Sequence, residues 1–121
     1  MIRVLLADDN DMLRQALAEA LEDHPGIRVV GHASNGRMAC SAAVALDPDV
    51  VVMDIRLPVM SGPAATAWLS GRCPAVRVVG LTAYDDEALH QAMARAGAVA
   101  VLVKGVSINE IVDAILSSAA A

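Results

Sequence analysis

Apolar and polar positions follow two rhythms along this chain. Short, nearly unbroken apolar runs rich in valine fall at residues 2–7, 27–33, 50–53, 76–81 and 99–103. Such runs suit strands covered on both faces, as in a parallel sheet. Between them, apolar positions recur every three or four residues. Leu13, Leu17, Ala20 and Leu21 make one helical stripe, Leu89, Ala92, Met93 and Ala96 another, and Ile108, Ile111, Val112 and Ile115 a third. A helix over 36–46 is apolar on most sides through its alanines, and a further one, about 63–70, carries Trp68. The punctuation agrees. Asp11 and Asp85 stand where caps of the first and fourth helices are expected, and Ser107 followed by Glu110 is a capping-box pattern at the last. Pro25-Gly26, Asp47-Pro48 and Ala96-Gly97 mark helix exits.

Repeated strand–helix units predict an α/β fold: a doubly wound, five-stranded parallel sheet with five helices in a three-layer sandwich. The expected strand order is the flavodoxin-like 2-1-3-4-5, with right-handed crossovers. At 121 residues the chain is sized for a single domain, with its core at about 2–117. It has no Phe, one Trp and one Tyr, so the core must be built from aliphatic side chains and methionine.

Charge and cysteine usage narrow the function. The net charge is −5 and no basic block occurs, which argues against non-specific nucleic-acid binding by this domain. Cys40, in an alanine-rich helix, is expected to be buried, and Cys73 to be a free thiol beside Pro74. Neither belongs to a disulfide framework or a zinc spacing, which suits the cytoplasm. Arg3 and the Asp8-Asp9 pair interrupt any signal-peptide pattern, and no apolar run has the length of a membrane span.

The strand ends carry the chemistry. Asp8 and Asp9 close the first run and Asp54 the third. In the expected order those strands are neighbours flanking the switch point, so the acids converge in the crevice where such folds bind ligands. Close carboxylates repel one another unless a cation is shared. Thr82 and Lys104 end the fourth and fifth runs on the same rim. Oxygen donors with excess negative charge favour Mg²⁺; calcium lacks an EF-hand loop, and zinc or copper lack histidine or cysteine ligands nearby. An ionised Asp54 in that company is a competent nucleophile toward phosphorus, giving an aspartyl phosphate. The remaining polar residues read more plainly. Asp11, Asp85 and Asp86 are helix-start acids, Trp68 is partial core, and His24, His32 and His90 lack a nucleophile to serve.

This pattern resembles the receiver domain of two-component response regulators over about residues 2 to 117. The stretch from Asp49 to Gly62, reading Asp-Val-Val-Val-Met-Asp-Ile-Arg-Leu-Pro-Val-Met-Ser-Gly, surrounds the acceptor as in that family. Leu81-Thr82-Ala83-Tyr84-Asp85-Asp86 and Ala33-Ser34-Asn35-Gly36 are most similar to receivers of the LuxR-type, nitrate-regulator-like transcription factors. The resemblance implies that Asp54 accepts a phosphoryl group from a sensor histidine kinase. It implies that Asp9 binds Mg²⁺ directly, that Asp8 does so at longer range, and that Asp54 and the Arg56 backbone carbonyl complete the ligands. Thr82 would hydrogen-bond the phosphoryl group and Lys104 pair with it. The expected consequence is a shape change, or dimerisation, at the face of helix 4, strand 5 and helix 5. DNA would be engaged only through an output domain absent from these residues. The domain would not be an enzyme beyond slow self-dephosphorylation.

Departures from the family concern the output side. The aromatic switch residue usual three positions before the lysine is Val101 here, and Tyr84 is the candidate substitute. Gly105 replaces the proline common after the lysine, which leaves that peptide's geometry open. Arg56 and Tyr84 flank the acceptor and are expected to shield its phosphate from water. The rival reading, a degenerate, non-phosphorylated receiver serving as a protein-interaction module, draws its weight from Val101. An aspartate-based phosphohydrolase would need an acid at the position of Arg56.

Overall fold

The valine-rich runs pair edge to edge in the computed structural model, which describes residues 1–83 and 85–120. Strands and helices alternate throughout: β1 (Ile2–Ala7), α1 (Asp11–Glu22), β2 (Ile27–Ala33), α2 (Gly36–Leu46), β3 (Val50–Met53), α3 (Gly62–Arg72), β4 (Arg77–Thr82), α4 (Glu87–Ala96), β5 (Ala100–Val103) and α5 (Ile108–Ala120). The sheet is parallel with order β2-β1-β3-β4-β5, as the pattern predicts.

Side-chain alternation along the strands builds two aliphatic layers. Val4, Leu6, Val50, Val52, Val79 and Leu81 pack with α1 and α5 on one face. Leu5, Ala7, Val51, Met53 and Val78 pack with α2, α3 and α4 on the other. Every residue of β3 is buried, as its continuous apolar run requires. Cys40 is buried and Cys73 partly so, both as free thiols, and Trp68 packs partly against the core beneath the Arg72 guanidinium. Among the described residues, no helix is long and apolar enough to cross a membrane.

Several boundaries differ from the sequence expectation. β4 and β5 start one residue later than their apolar runs. The Val76 N–H closes a turn onto the Cys73 carbonyl, and Val99 remains 48% exposed. Asn10, not Asp11, caps α1: it has the extended backbone and accepts from the Leu13 N–H, while Asp11 is already helical. Asp86 rather than Asp85 caps α4, accepting from the N–H groups of Ala88 and Leu89. Where two polar residues are adjacent, the one whose backbone leaves the helix becomes the cap. α3 begins and ends beyond the expected 63–70, entered from the Ser61 cap. The buried stripe of α1 is also rotated. Ala18 and Leu21 are buried, whereas Leu13 is 51% exposed, so Arg14, at i−4 from Ala18, is turned inward. Of the α5 stripe, Ile111, Val112 and Ile115 are buried, and Ser107 accepts from the Glu110 N–H as its capping pattern predicts.

Candidate functional site

The ladder places the acids. Leu6 pairs with Val52 and Ala7 with Met53, and the bonding runs one step further, with the Asp54 N–H donating to the Ala7 carbonyl at 2.9 Å. The Asp8 N–H donates in turn to the Ala33 carbonyl of β2 at 3.0 Å. Asp8 and Asp54 therefore leave the sheet side by side. With Asp9 they present carboxylate oxygens that all lie within 4.8 Å of one another. Asp54 is 7% exposed, Asp8 half-buried and Asp9 exposed.

Lys104 closes the cluster from β5. Its N–H bonds the Thr82 carbonyl, and its Nζ donates to Asp8 Oδ2 at 2.7 Å and to Asp54 Oδ2 at 3.2 Å. The second Asp8 oxygen accepts from the Asn10 N–H at 2.9 Å. The Arg56 N–H lies 3.4 Å from Asp54 Oδ1. The Asp54 carboxyl is pushed above its ordinary pKa, first by burial and next, against the pull of Lys104, by the charge of Asp8. The Lys104 ammonium is held above its ordinary pKa although burial works the other way, because Asp8 and Asp54 outweigh it. Three carboxylates served by one ammonium leave uncompensated negative charge in a partly buried corner. All the converging donors are hard oxygens, so the residues fit a small divalent cation such as Mg²⁺.

Asp8, Asp9, Asp54 and Lys104 are thus brought together. Thr82 sits fully buried at the end of β4 on the same edge, linked to Lys104 through its carbonyl. Arg56 is exposed beside the acceptor. Tyr84, named as a switch candidate, lies outside the described residues. Val101 is half-buried, and its methyl groups and the Met93 side chain of α4 converge on Gly80, so that a Cβ there would fit only tightly. Among the described residues all peptide bonds are trans, and Gly105 turns the chain after Lys104 with φ +107°.

Two supporting residues escaped the sequence reading. A Cβ at Gly62 would collide with the Asp54 carbonyl oxygen, and the Gly62 N–H donates to the Ile55 carbonyl at 2.8 Å. The start of α3 therefore rests directly on the acceptor's backbone. Its signal was a glycine at a helix start that already had Ser61 for a cap. The second is Arg14, whose side chain is only 10% exposed. Spacing from Ala18 and Leu21 was its signal, and the polar side chain hid it.

Fold and site together define a receiver. The chain belongs to the response regulator receiver domain family, which matches residues 4–116. It is 40% identical over 115 residues to the transcriptional regulatory protein LiaR of Bacillus subtilis, covering 95% of this chain and 54% of that protein. It is 37% identical over 117 residues to the transcriptional regulatory protein LnrK of the same organism, covering 97% of this chain and 53% of the relative. The chain thus spans about half the length of these curated relatives. Among solved structures, a two-component response regulator of the LuxR family from Aurantimonas sp. superposes with a TM-score of 0.94 at 30% identity, covering 99% of this chain and 86% of that one.

Proposed function

We propose that this receiver is a phosphorylation switch in which Asp54 takes a phosphoryl group from the phosphohistidine of a sensor kinase in the cytoplasm. The observation that carries the reading is the sharing of the Lys104 ammonium between Asp8 and Asp54 beside the exposed Asp9 carboxylate. In the transfer, the phosphorus–nitrogen bond of the phosphohistidine breaks as a bond from an Asp54 carboxylate oxygen to phosphorus forms. The histidine nitrogen keeps the electron pair and takes up a proton. Asp54 needs no base once ionised, and Lys104 supplies positive charge to the phosphoryl oxygens. Asp9, Asp8 and the Arg56 carbonyl would hold Mg²⁺, which supplies charge neutralisation for the acceptor and the incoming oxygens. Thr82, at the end of β4, takes the hydrogen-bonding role toward the phosphoryl group. The change then passes to the α4–β5–α5 face, where dimerisation and a transcriptional output are the consequences we assign.

Incubation with Mg²⁺ and acetyl phosphate, followed by intact mass measurement, tests this. A single phosphoryl adduct that disappears in Asp54→Ala supports the switch. The absence of any adduct favours the degenerate interaction module instead, and rapid multiple turnover favours an enzyme. Shielding by Arg56 predicts faster loss of the phosphate in Arg56→Ala, and equal rates would remove that role.

A further inference from the structure

Arg14 makes more of its guanidinium than a helix residue on an amphipathic segment needs to. Nη1 donates to the Asp8 carbonyl at 2.6 Å, Nε donates to His32 Nδ1 on β2 at 3.1 Å, and Nη2 lies 2.8 Å from Asp11 Oδ1. The fork thus ties α1, the end of β1 and the end of β2 at one point. No step of the phosphoryl transfer uses it.

What it holds is specific. The Asp8 carbonyl is one half of the planar peptide joining Asp8 to Asp9, and a peptide plane turns as a unit. The other flank of Asp8 is fixed by its N–H on the Ala33 carbonyl, and its carboxylate by Lys104 and the Asn10 N–H. Asp9, by contrast, is exposed. The direction in which Asp9 leaves the chain therefore depends on the plane that Arg14 grips. His32 keeps the guanidinium in register, since its Nδ1 accepts the Nε proton. Although His32 is exposed, partial desolvation of its ring and then the charge of Arg14 lower its pKa, which favours the neutral, accepting ring.

We propose that Arg14 is a positioning residue for the divalent cation, acting through the Asp8–Asp9 peptide on the aim of the Asp9 carboxylate. The inference rests on the reading of the acids as a Mg²⁺ site. Two effects of Arg14 have opposite signs, and this makes it testable. As a positive charge near three carboxylates it opposes cation binding, so its removal alone would tighten Mg²⁺. As a clamp it favours binding, so its removal would weaken Mg²⁺.

The test is calorimetric titration of the whole chain with Mg²⁺, repeated with Mn²⁺ followed by the electron paramagnetic resonance of the free ion. Arg14→Ala and Arg14→Lys are compared with the parent, with Ser70→Ala as a variant altered far from the acids. Both Arg14 variants are expected to bind about ten-fold more weakly, the scale on which groups that orient metal ligands act. Ser70→Ala is expected to match the parent. Arg14→Lys keeps the charge and loses the fork, so it decides the matter even where Arg14→Ala fails to fold. Parent-like affinity in Arg14→Lys, or tighter binding in Arg14→Ala, would overturn the proposal. Weakening in Ser70→Ala equal to that in the Arg14 variants would also overturn it, since the effect would then be one of general stability. A parent that binds neither ion would take down the reading of the site itself.

Discussion

The middle of the sheet and its β5–α4 edge are built to different standards. At the centre, Val4, Leu5, Val50, Val51 and Met53 are all at 0% exposure, and the acids continue directly from those strands. At the edge, every residue of β5 is only half-buried, and α4 contributes Met93 as its one buried side chain. Asp8 and Asp54 are therefore mounted on the stiffest part of the molecule. Lys104 and the α4 surface belong to a less buried part, which opens at lower cost, and the buried Thr82 stands between the two. The proposed switch draws on that asymmetry, with charge held where packing is densest and read where it is looser.

The contrast can be broken from the centre outward. Leu5→Ala should cost about 3 kcal/mol in urea unfolding, because its site has no solvent route to collapse. Leu102→Ala, on half-buried β5, should cost well under half of that. Equal losses would show that the edge is as tightly packed as the centre. Next in size, Gly62→Ala should lower stability by about 2 kcal/mol, since the new methyl group meets backbone. It should also cut the yield of phosphoryl adduct by displacing the Asp54 carbonyl, whereas Gly71→Ala, with open space around it, should leave the yield unchanged.

Asp54→Asn should raise the melting temperature by a few degrees in Mg²⁺-free buffer at neutral pH. Burial sets the folded-state pKa of Asp54 above its unfolded value, so the folded chain holds that proton more tightly. The resulting stabilisation is complete below the unfolded pKa and is lost as pH rises through the folded one. At neutral pH the ionised carboxylate works against the fold, and the amide removes that cost. The gain should shrink as pH falls through the same window, and a melting temperature unchanged at neutral pH would refute it. The smallest effect is expected of Ser70→Ala, about 1 kcal/mol. Its signature is local: faster amide exchange in α4 with no change in β1 or β3.

The sequence was most informative where physics leaves little choice. Valine-rich runs can only be covered strands, and strand order then forces Asp8, Asp9 and Asp54 together. It was least informative where neighbours compete. Asn10 and Asp11, or Asp85 and Asp86, are equally good caps until the backbone path chooses between them. Arg14 and Gly62 were illegible for a different reason. Arg14 donates to the carbonyl of Asp8 and Gly62 lies against that of Asp54, and a backbone atom leaves no trace in residue identity. β4 and β5 start one residue inside their apolar runs because the Val76 N–H is spent on a turn and Val99 lies open to solvent.

Ser70 gives α4 a mechanical character. Its hydroxyl lies 2.8 Å from the Ala96 carbonyl and 3.0 Å from that of Thr66, and Gly97 closes in so tightly that a Cβ there would strike the Ser70 oxygen. The C-terminal end of α4 is thus bolted to α3, while its first residues, Glu87 and Ala88, are exposed. Such a helix is a lever with its fulcrum at the far end from Thr82. Ten residues of helix span about 15 Å, so a tilt of about 10° carries the near end by about 3 Å and the bolted end hardly at all. In the proposed switch, a displacement beside Thr82 would therefore be taken up by the exposed first turn of α4 and hardly at all by its bolted end.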